Sequence, residues 1–436
     1  MPKKLFFVDS IYTGYETAEH AAAEGENSEV AVSLIELGDG ERERENEDNA
    51  PIMVTLQRRQ LQYDTRGGNI REGWYVFYND TPAEGQLYFS YASNTDIAQE
   101  QIHLNNTLRV QLLAASSGFT DNFSNDELNR LLYKSEVRSY HVNVGHGNCS
   151  LLLMKNDTGS HIWMIDCSIH EKQNKKVRYA NHQAALNACL QQVSQDANLD
   201  IQQFHIERFF LTHMHYDHYN GMKYLIDRGY INQNTICYIN LKYQMASKNM
   251  NAILQRMVNR GINKIVEPLT TNSNSAIQIL YPERPICRNR KSAIGACRFE
   301  KKVNNSSSVI RFNLGNHTMV CPGDIEQEGL NAMSAYLPYP PFCFSDIYNV
   351  SHHGSLNGHP LYTTSLVPPF LWKGKSAPWY TIIMGRDGAY SGIFSPIVIN
   401  DFITYSRLYS TDNTVKGNPI VYMVIDWQTG QISNVS

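Results

Sequence analysis

A mixed α/β protein with a β-rich unit ahead of it is the fold class that this 436-residue chain predicts. From Val137 onward, apolar runs of strand length alternate with stretches of helical period, the rhythm of α/β folds. Before that point, short runs rich in β-branched and aromatic residues are separated by turn-forming residues. The composition, 42% hydrophobic and 18% charged, is that of a soluble globular protein rather than a disordered or fibrous one. The length favours two units.

Taken in order, Glu16 to Asp48 is strongly acidic, densest at Glu41-Arg42-Glu43-Arg44-Glu45-Asn46-Glu47-Asp48, and predicts a solvated, mobile segment. Ile52 to Gln57, Gly73 to Tyr78 and Leu87 to Tyr91 read as short strands, with Arg66-Gly67-Gly68-Asn69 as a turn. Residues 1–135 are therefore expected to form a β-rich domain, and residues 136–436 the α/β domain. In the second unit, Tyr140 to Val144, Cys149 to Met154 and Ile162 to Ile165 are strands, the last ending on Asp166. A helix follows from about His182 to Leu199, with Ala185, Leu186, Cys189, Leu190 and Val193 on one face. Ile206 to Thr212 is the next strand. Helix Met250 to Val258, strand Lys264 to Val266 and paired strands Ser308 to Phe312 and Thr318 to Cys321 continue the pattern. Helix Glu326 to Leu337, strands Ile347 to Val350 and Tyr380 to Met384, a helix near Ile397 to Leu408 and a hairpin around Trp427 to Gly430 complete it.

A net charge of −4 argues against a generally basic nucleic-acid coat and leaves room for local basic patches. The eight cysteines show neither a CxxC pair nor a framework spacing, which fits a reducing compartment. The apolar run Leu5 to Val8 is too short for a signal-peptide core, and no stretch approaches the roughly 20 apolar residues of a membrane helix. A cytoplasmic protein without membrane association is expected.

Chemistry concentrates where apolar strands stop. In Thr212-His213-Met214-His215-Tyr216-Asp217-His218, three imidazoles and a carboxylate sit on a short loop, where alternate side chains can turn toward one point. That donor set suits a borderline cation such as zinc. Cys321-Pro322-Gly323-Asp324 places a carboxylate after a strand, although Gly-Asp is also an ordinary turn signal. Ser351-His352-His353-Gly354-Ser355 puts two adjacent histidines at another strand end.

The order of these motifs resembles the metallo-β-lactamase superfamily and, within it, the C-terminal hydrolase domain of competence DNA-uptake channel proteins. The resemblance runs from about Arg138 to Ile432, through Val142 to Asn148, Ile165-Asp166, the histidine cluster, Asn305 to Ile310, Gly323-Asp324 and His352 to Ser355. It continues through Met384 to Asp387, Ser395-Pro396 and Tyr409 to Asp412. It implies an αββα sandwich with two divalent metal ions, zinc or alternatively manganese. By this resemblance His213 and His215 hold one metal, Asp217 and His218 the second, Asp324 bridges them, and one or both of His352 and His353 complete the shell. Asp166 matches a strand-end carboxylate that orients ligands. Three departures stand out: no histidine lies between the cluster and Asp324 except His317, His146 and Asn148 stand where relatives carry Gln and Asp, and a C-terminal Gly-His-Pro is replaced around Gly392 to Pro396.

A metal pair of this kind supplies hydroxide at neutral pH by lowering the pKa of water to about 7. Asp217 is expected to accept a proton, with His353 the candidate general acid if it is not a ligand. Lys172, Lys175, Lys176 and Arg178, and Arg284, Arg288, Arg290, Lys291, Arg298, Lys301 and Lys302, form two basic stretches that would rim the site and attract phosphate. The expected function is a phosphodiesterase or nuclease acting on DNA or RNA, of a stand-alone bacterial kind suited to defence. A lactone, thioester or cyclic-nucleotide hydrolase is the second expectation. A degenerate metal-binding protein that meets a protein partner through its N-terminal domain is the third.

Overall fold

The computed structural model describes residues 5–13, 29–37, 52–63, 68–71, 74–79, 88–91, 99–169, 182–243, 248–287, 297–300, 302–335, 337, 345–359, 379–387, 392–415 and 418–436. The fold is mixed α/β, built on three large sheets. The first has seven strands in the spatial order Ile52–Gln57, Glu29–Leu37, Leu5–Thr13, Tyr75–Tyr78, Phe89–Tyr91, Gln62–Tyr63 and Gly68–Asn69. Phe6, Val8, Val30, Val32, Leu34, Val76 and Phe89 form its own core.

Two departures from the expected pattern fall in this region. Glu29–Leu37 is a strand that buries Val30, Ala31, Val32 and Leu34 and pairs antiparallel with Leu5–Thr13, not part of a solvated acidic segment. The densest acidic run, 41–48, lies outside the described residues. Gln99–Ala115 is a helix inside the stretch read as β-rich, and it buries Leu108 and Leu112, one turn apart.

The second sheet has eight strands, ordered Ile265–Val266, Ile236–Tyr238, Arg208–Phe210, Gly159–Cys167, Cys149–Asn156, Glu136–Val142, Tyr422–Asp426 and Ile432–Val435. The first four run parallel and the rest antiparallel. The third sheet has six, ordered Ile277–Tyr281, Val309–Leu314, His317–Cys321, Ile347–Asn349, Tyr380–Ile383 and Arg407–Ser410, with the last four parallel.

Strand alternation sends successive side chains to opposite faces, and the cores follow it. Leu152, Trp163, Ile165 and Phe210 of the eight-stranded sheet share one cluster with Ile310, Phe312, Met319 and Ile382 of the six-stranded sheet. At its centre the Trp163 ring lies 6.0 Å from both Phe210 and Phe312. Leu151, Leu153, Met164 and Phe209, one residue out of phase, join Leu186, Cys189, Leu190 and Val193 of helix His182–Asp196. On the six-stranded side, Tyr348 meets Phe402 of helix Pro396–Tyr405 at 5.7 Å.

Arg208, which opens the strand leading to the histidine cluster, is gripped from the N-terminal side. Its guanidinium donates twice to Asp121, at 2.7 and 2.8 Å, and lies over the Phe123 ring at 4.1 Å from the centroid. Cys287 and Cys297 are joined by a disulfide that the cysteine spacing gave no sign of, so not every cysteine is a free thiol. Cys149, Cys167, Cys189, Cys237 and Cys321 are free and buried. Among the described residues no helix is long and apolar enough to cross a membrane.

Candidate metal centre

Four strand ends deliver the site. Gly159–Cys167 closes near Asp166, Arg208–Phe210 leads into Thr212 to His218, His317–Cys321 into Asp324, and Ile347–Asn349 into His352 and His353. Loops beyond the carboxyl ends of parallel strands are where α/β sheets gather ligand-binding groups. Backbone bonds tie these loops together: Ser308 N–H donates to Thr212 O at 2.8 Å and His352 N–H to Gly323 O at 3.2 Å. Gly323 takes φ +58°, and a Cβ there would lie 2.8 Å from the Thr212 side chain, so glycine is what lets the Asp324 loop approach the histidine loop.

Three imidazoles are set by their outer nitrogens. His218 Nδ1–H donates to Asp166 Oδ2 at 2.8 Å, and His353 Nδ1–H to the Met384 carbonyl at 2.9 Å. Thr212 Oγ1 donates to Asp166 Oδ2 at 2.8 Å, which leaves it to accept from His213 Nδ1–H at 3.1 Å. In each case a proton is held on Nδ1 and Nε2 is turned inward. That is the tautomer and orientation a metal-ligating histidine needs, fixed by an outer carboxylate, hydroxyl or carbonyl. His215 points Nδ1 at the same place, 3.1 Å from His213 Nε2.

The inward atoms form two groups, each with its donors within 4.8 Å of one another: Asp217, His218, Asp324 and His353, and His213, His215 and Asp324. Asp324 belongs to both. His353 Nε2 lies 3.2 Å from Asp217 Oδ2 and 3.4 Å from Asp324 Oδ2. Ligand bonds of about 2.1 Å at tetrahedral angles put donor atoms about 3.4 Å apart, so these separations fit a shared cation. His218 Nε2 and Asp324 Oδ1 make the same point. They are buried, 3.3 Å apart and not aligned for a hydrogen bond with each other or with any described residue. Buried His and Asp groups able to hold metal ions are thus present.

The electrostatics follow from packing carboxylates among imidazoles. Burial alone would raise the carboxyls of Asp217 and Asp324, yet His218 and the other imidazoles beside them hold both well below the usual carboxylate range. Burial opposes charge on His353, but Asp324 and Asp217 together push it up to about 10, and His218 is likewise raised. Burial and then the neighbouring His218 hold His213 well down.

The adjacent histidines separate. His353 joins a donor group, while His352 lies outside both, its Nδ1–H donating to Asn357 Oδ1 at 3.0 Å and its Nε2 3.4 Å from Asn304 Nδ2. Both take left-handed backbone, φ +47° and +50°, a conformation costly for non-glycine residues and concentrated at functional sites. His353 has its Nδ1–H committed to Met384 and its Nε2 facing the carboxylates of Asp217 and Asp324. Asp166 stands behind the ligands, accepting from Thr212 N–H at 2.8 Å as well as from Thr212 Oγ1 and His218.

The basic stretches are less telling. Lys172, Lys175, Lys176, Arg178, Arg288, Arg290, Lys291 and Lys301 lie outside the described residues. Among those described, Arg298 pairs with Glu300 at 3.5 Å and Lys302 with Glu326 at 3.2 Å. One residue of the centre was not singled out from the sequence as part of the site: His146, whose Nε2 lies 3.1 Å from Asp217 Oδ2. Its sequence signals are its place between two glycines in a turn next to a strand end and the departure noted there at His146 and Asn148.

Fold and site together define a mixed α/β protein with a buried cluster of His and Asp donors at the strand ends. No protein-family model matches the chain, and no curated protein matches it significantly.

Proposed function

We propose that this chain is a metal-dependent hydrolase with the αββα sandwich and dinuclear centre of the metallo-β-lactamase superfamily, acting on phosphodiester bonds of DNA or RNA. The observation that carries the reading is the arrangement of His213, His218 and His353: each is anchored through Nδ1 and turns Nε2 toward the one carboxylate, Asp324, that both donor groups share. Two sheets sharing a core, with helices packed on their other faces, support the sandwich. The in-order motifs and the basic stretches flanking them in sequence support the phosphodiester substrate.

In this reading Asp217, His218, Asp324 and His353 hold one ion, and His213 and His215 with Asp324 the other. Divalent ions such as zinc or manganese supply activated water at neutral pH and charge to offset a developing oxyanion. The chain's own residues do the positioning. Asp166 and Met384 fix imidazole orientation, and Asp217, facing the same point as the other donors, would aim the attacking water and accept its proton. The burial of the donors keeps competing solvent away and strengthens their electrostatics.

The test is cleavage of end-labelled DNA and RNA by purified protein with zinc or manganese, compared with Asp217→Ala. Metal-dependent cleavage that falls at least about a hundredfold in Asp217→Ala is the expected result. A protein that loads metal but leaves every polynucleotide intact overturns the substrate assignment, and one that loads none overturns the centre itself.

A further inference from the structure

Like His352, the imidazole of His146 belongs to neither donor group. His146 is 6% exposed, its Nε2 is 3.1 Å from Asp217 Oδ2, and its ring centroid is 4.3 Å from that of His353. The turn that carries it is built onto the metal loop. Asn148 N–H donates to the Asp217 carbonyl at 3.2 Å, and Ser168 Oγ–H to the His146 carbonyl at 3.2 Å. Gly145 and Gly147 flank it at φ +71° and +127°. A Cβ on Gly147 would lie 2.3 Å from the Asp217 carbonyl oxygen and 2.5 Å from Ser168 Cβ, so the contact between turn and loop depends on the glycine. The sequence thus meets a backbone constraint on both sides of one histidine whose ring reaches a metal-group carboxylate.

Asp217 needs such a partner. The carboxylate sits on a four-residue helix, Tyr216–Tyr219, whose start has no side-chain cap, so the local backbone does little to hold its rotamer. His218 Nε2 is 4.0 Å from Asp217 Oδ2, beyond hydrogen-bond reach. Among the described residues, His146 and His353 are the two imidazoles within about 3.2 Å of it. His353 is committed to the donor group with Asp324, which leaves His146 to fix Asp217 from outside. Outer partners of this kind set ligand orientation and are worth about 10–100-fold in metal affinity.

We propose that His146 is a positioning residue of the metal centre, its Nε2 set by the turn 3.1 Å from Asp217 Oδ2, close to it but not aligned as a hydrogen bond, so that the group of Asp217, His218, Asp324 and His353 is the first of the two to fill. This rests on the reading of these donors as a metal centre. With four donors in the group around Asp217 and three in the group of His213, His215 and Asp324, the two metals are then expected to bind sequentially, with unequal affinity.

Cobalt(II) titration in competition with a chelator, followed by the visible absorption of the ion, tests this on the full chain. His146→Ala is expected to weaken the first equivalent by about 10–100-fold, leaving the second equivalent and the saturated cobalt spectrum unchanged. His146→Gln, whose amide offers an N–H of similar reach, is expected to return affinity to within about threefold of the parent. In an Asp217→Ala background, His146→Ala is expected to change affinity by less than about twofold, because the partner is gone. Circular dichroism of the metal-free variants shows that each is folded, and Gln keeps the question open to test if Ala is not. Unchanged affinity in His146→Ala, or a shifted cobalt spectrum that Gln does not restore, overturns the positioning role; the latter makes His146 a ligand. A parent chain that takes up no cobalt overturns the metal centre and this role with it.

Discussion

Asp166→Asn is the perturbation that most directly probes how the centre is held. Asp166 accepts three hydrogen bonds, each 2.8 Å: Thr212 N–H on Oδ1, and Thr212 Oγ1–H and His218 Nδ1–H on Oδ2. Its backbone is left-handed, φ +53°, which asparagine tolerates as well as aspartate does, so the substitution leaves the chain path alone. What changes is Oδ2, replaced by an NH2 that faces two donors. The Thr212 hydroxyl can rotate to accept. His218 can accept only by moving its proton from Nδ1 to Nε2, which removes the lone pair from the inward nitrogen. The loss is one charge-assisted hydrogen bond, about 1.5–3 kcal/mol, or about 10–100-fold in affinity at about 1.4 kcal/mol per tenfold. Competition against a chelator of known affinity measures it, with unfolding of the metal-free proteins run alongside. Metal retention within about twofold of the parent would refute the argument, because it would mean that the Nδ1 partner does not set the His218 tautomer.

Other outcomes follow from the same geometry. Asp324→Ala removes a carboxylate shared by both donor groups and is expected to abolish tight binding of every equivalent, whereas His213→Ala is expected to cost only one; metal per chain after dialysis distinguishes them. Because His353 is pushed up to about 10 and His218 is raised as well, metal must displace protons at neutral pH. Binding is therefore expected to weaken as pH falls and to release about one to two protons, read by calorimetry in buffers of different ionisation enthalpy. His141 is fully buried between Ser139 and Ser150, and burial pushes it down to about 3. Its folded value lies below the unfolded one, so its stability contribution is complete above about pH 6.5 and is lost as pH falls, roughly 1.4 kcal/mol between about pH 7.5 and 5.5. Denaturant unfolding at the two pH values should show that slope shrink in His141→Asn.

The parts of the site legible in the sequence were those packed close along the chain. His213, His215, Asp217 and His218 announce themselves because four donors in six residues follow an apolar strand. Asp324 and His353 are distant in sequence; their strand-end positions marked them, and the order of motifs joined them to the cluster, but which of His352 and His353 faces the donors depends on a left-handed turn that the residue types do not reveal. His146 stood out only as a departure within a Gly-His-Gly turn, because its meeting with Asp217 is a contact between residues 71 apart in the chain. In the N-terminal part, charge density over Glu16 to Asp48 masked the alternation of Val30, Val32 and Leu34, which is the true strand signal. Helix Gln99–Ala115 is so polar that its short Leu108 and Leu112 stripe carried little weight against its Gln and Asn content.

The grip of Asp121 on Arg208 bears on what can be moved as a unit. Arg208 stands four residues before Thr212, on the strand that feeds the histidine loop, and its side chain is 11% exposed against 3% for Asp121. A chain cut after residue 135 would strip the guanidinium of its carboxylate and of the Phe123 ring while leaving it largely enclosed. Removing one partner of a buried ion pair costs about 3–5 kcal/mol, a large share of the roughly 5–15 kcal/mol that holds a typical domain together. A transplantable α/β module, whether made in the laboratory or exchanged between genes, therefore has to carry Asp121 and Phe123 with it.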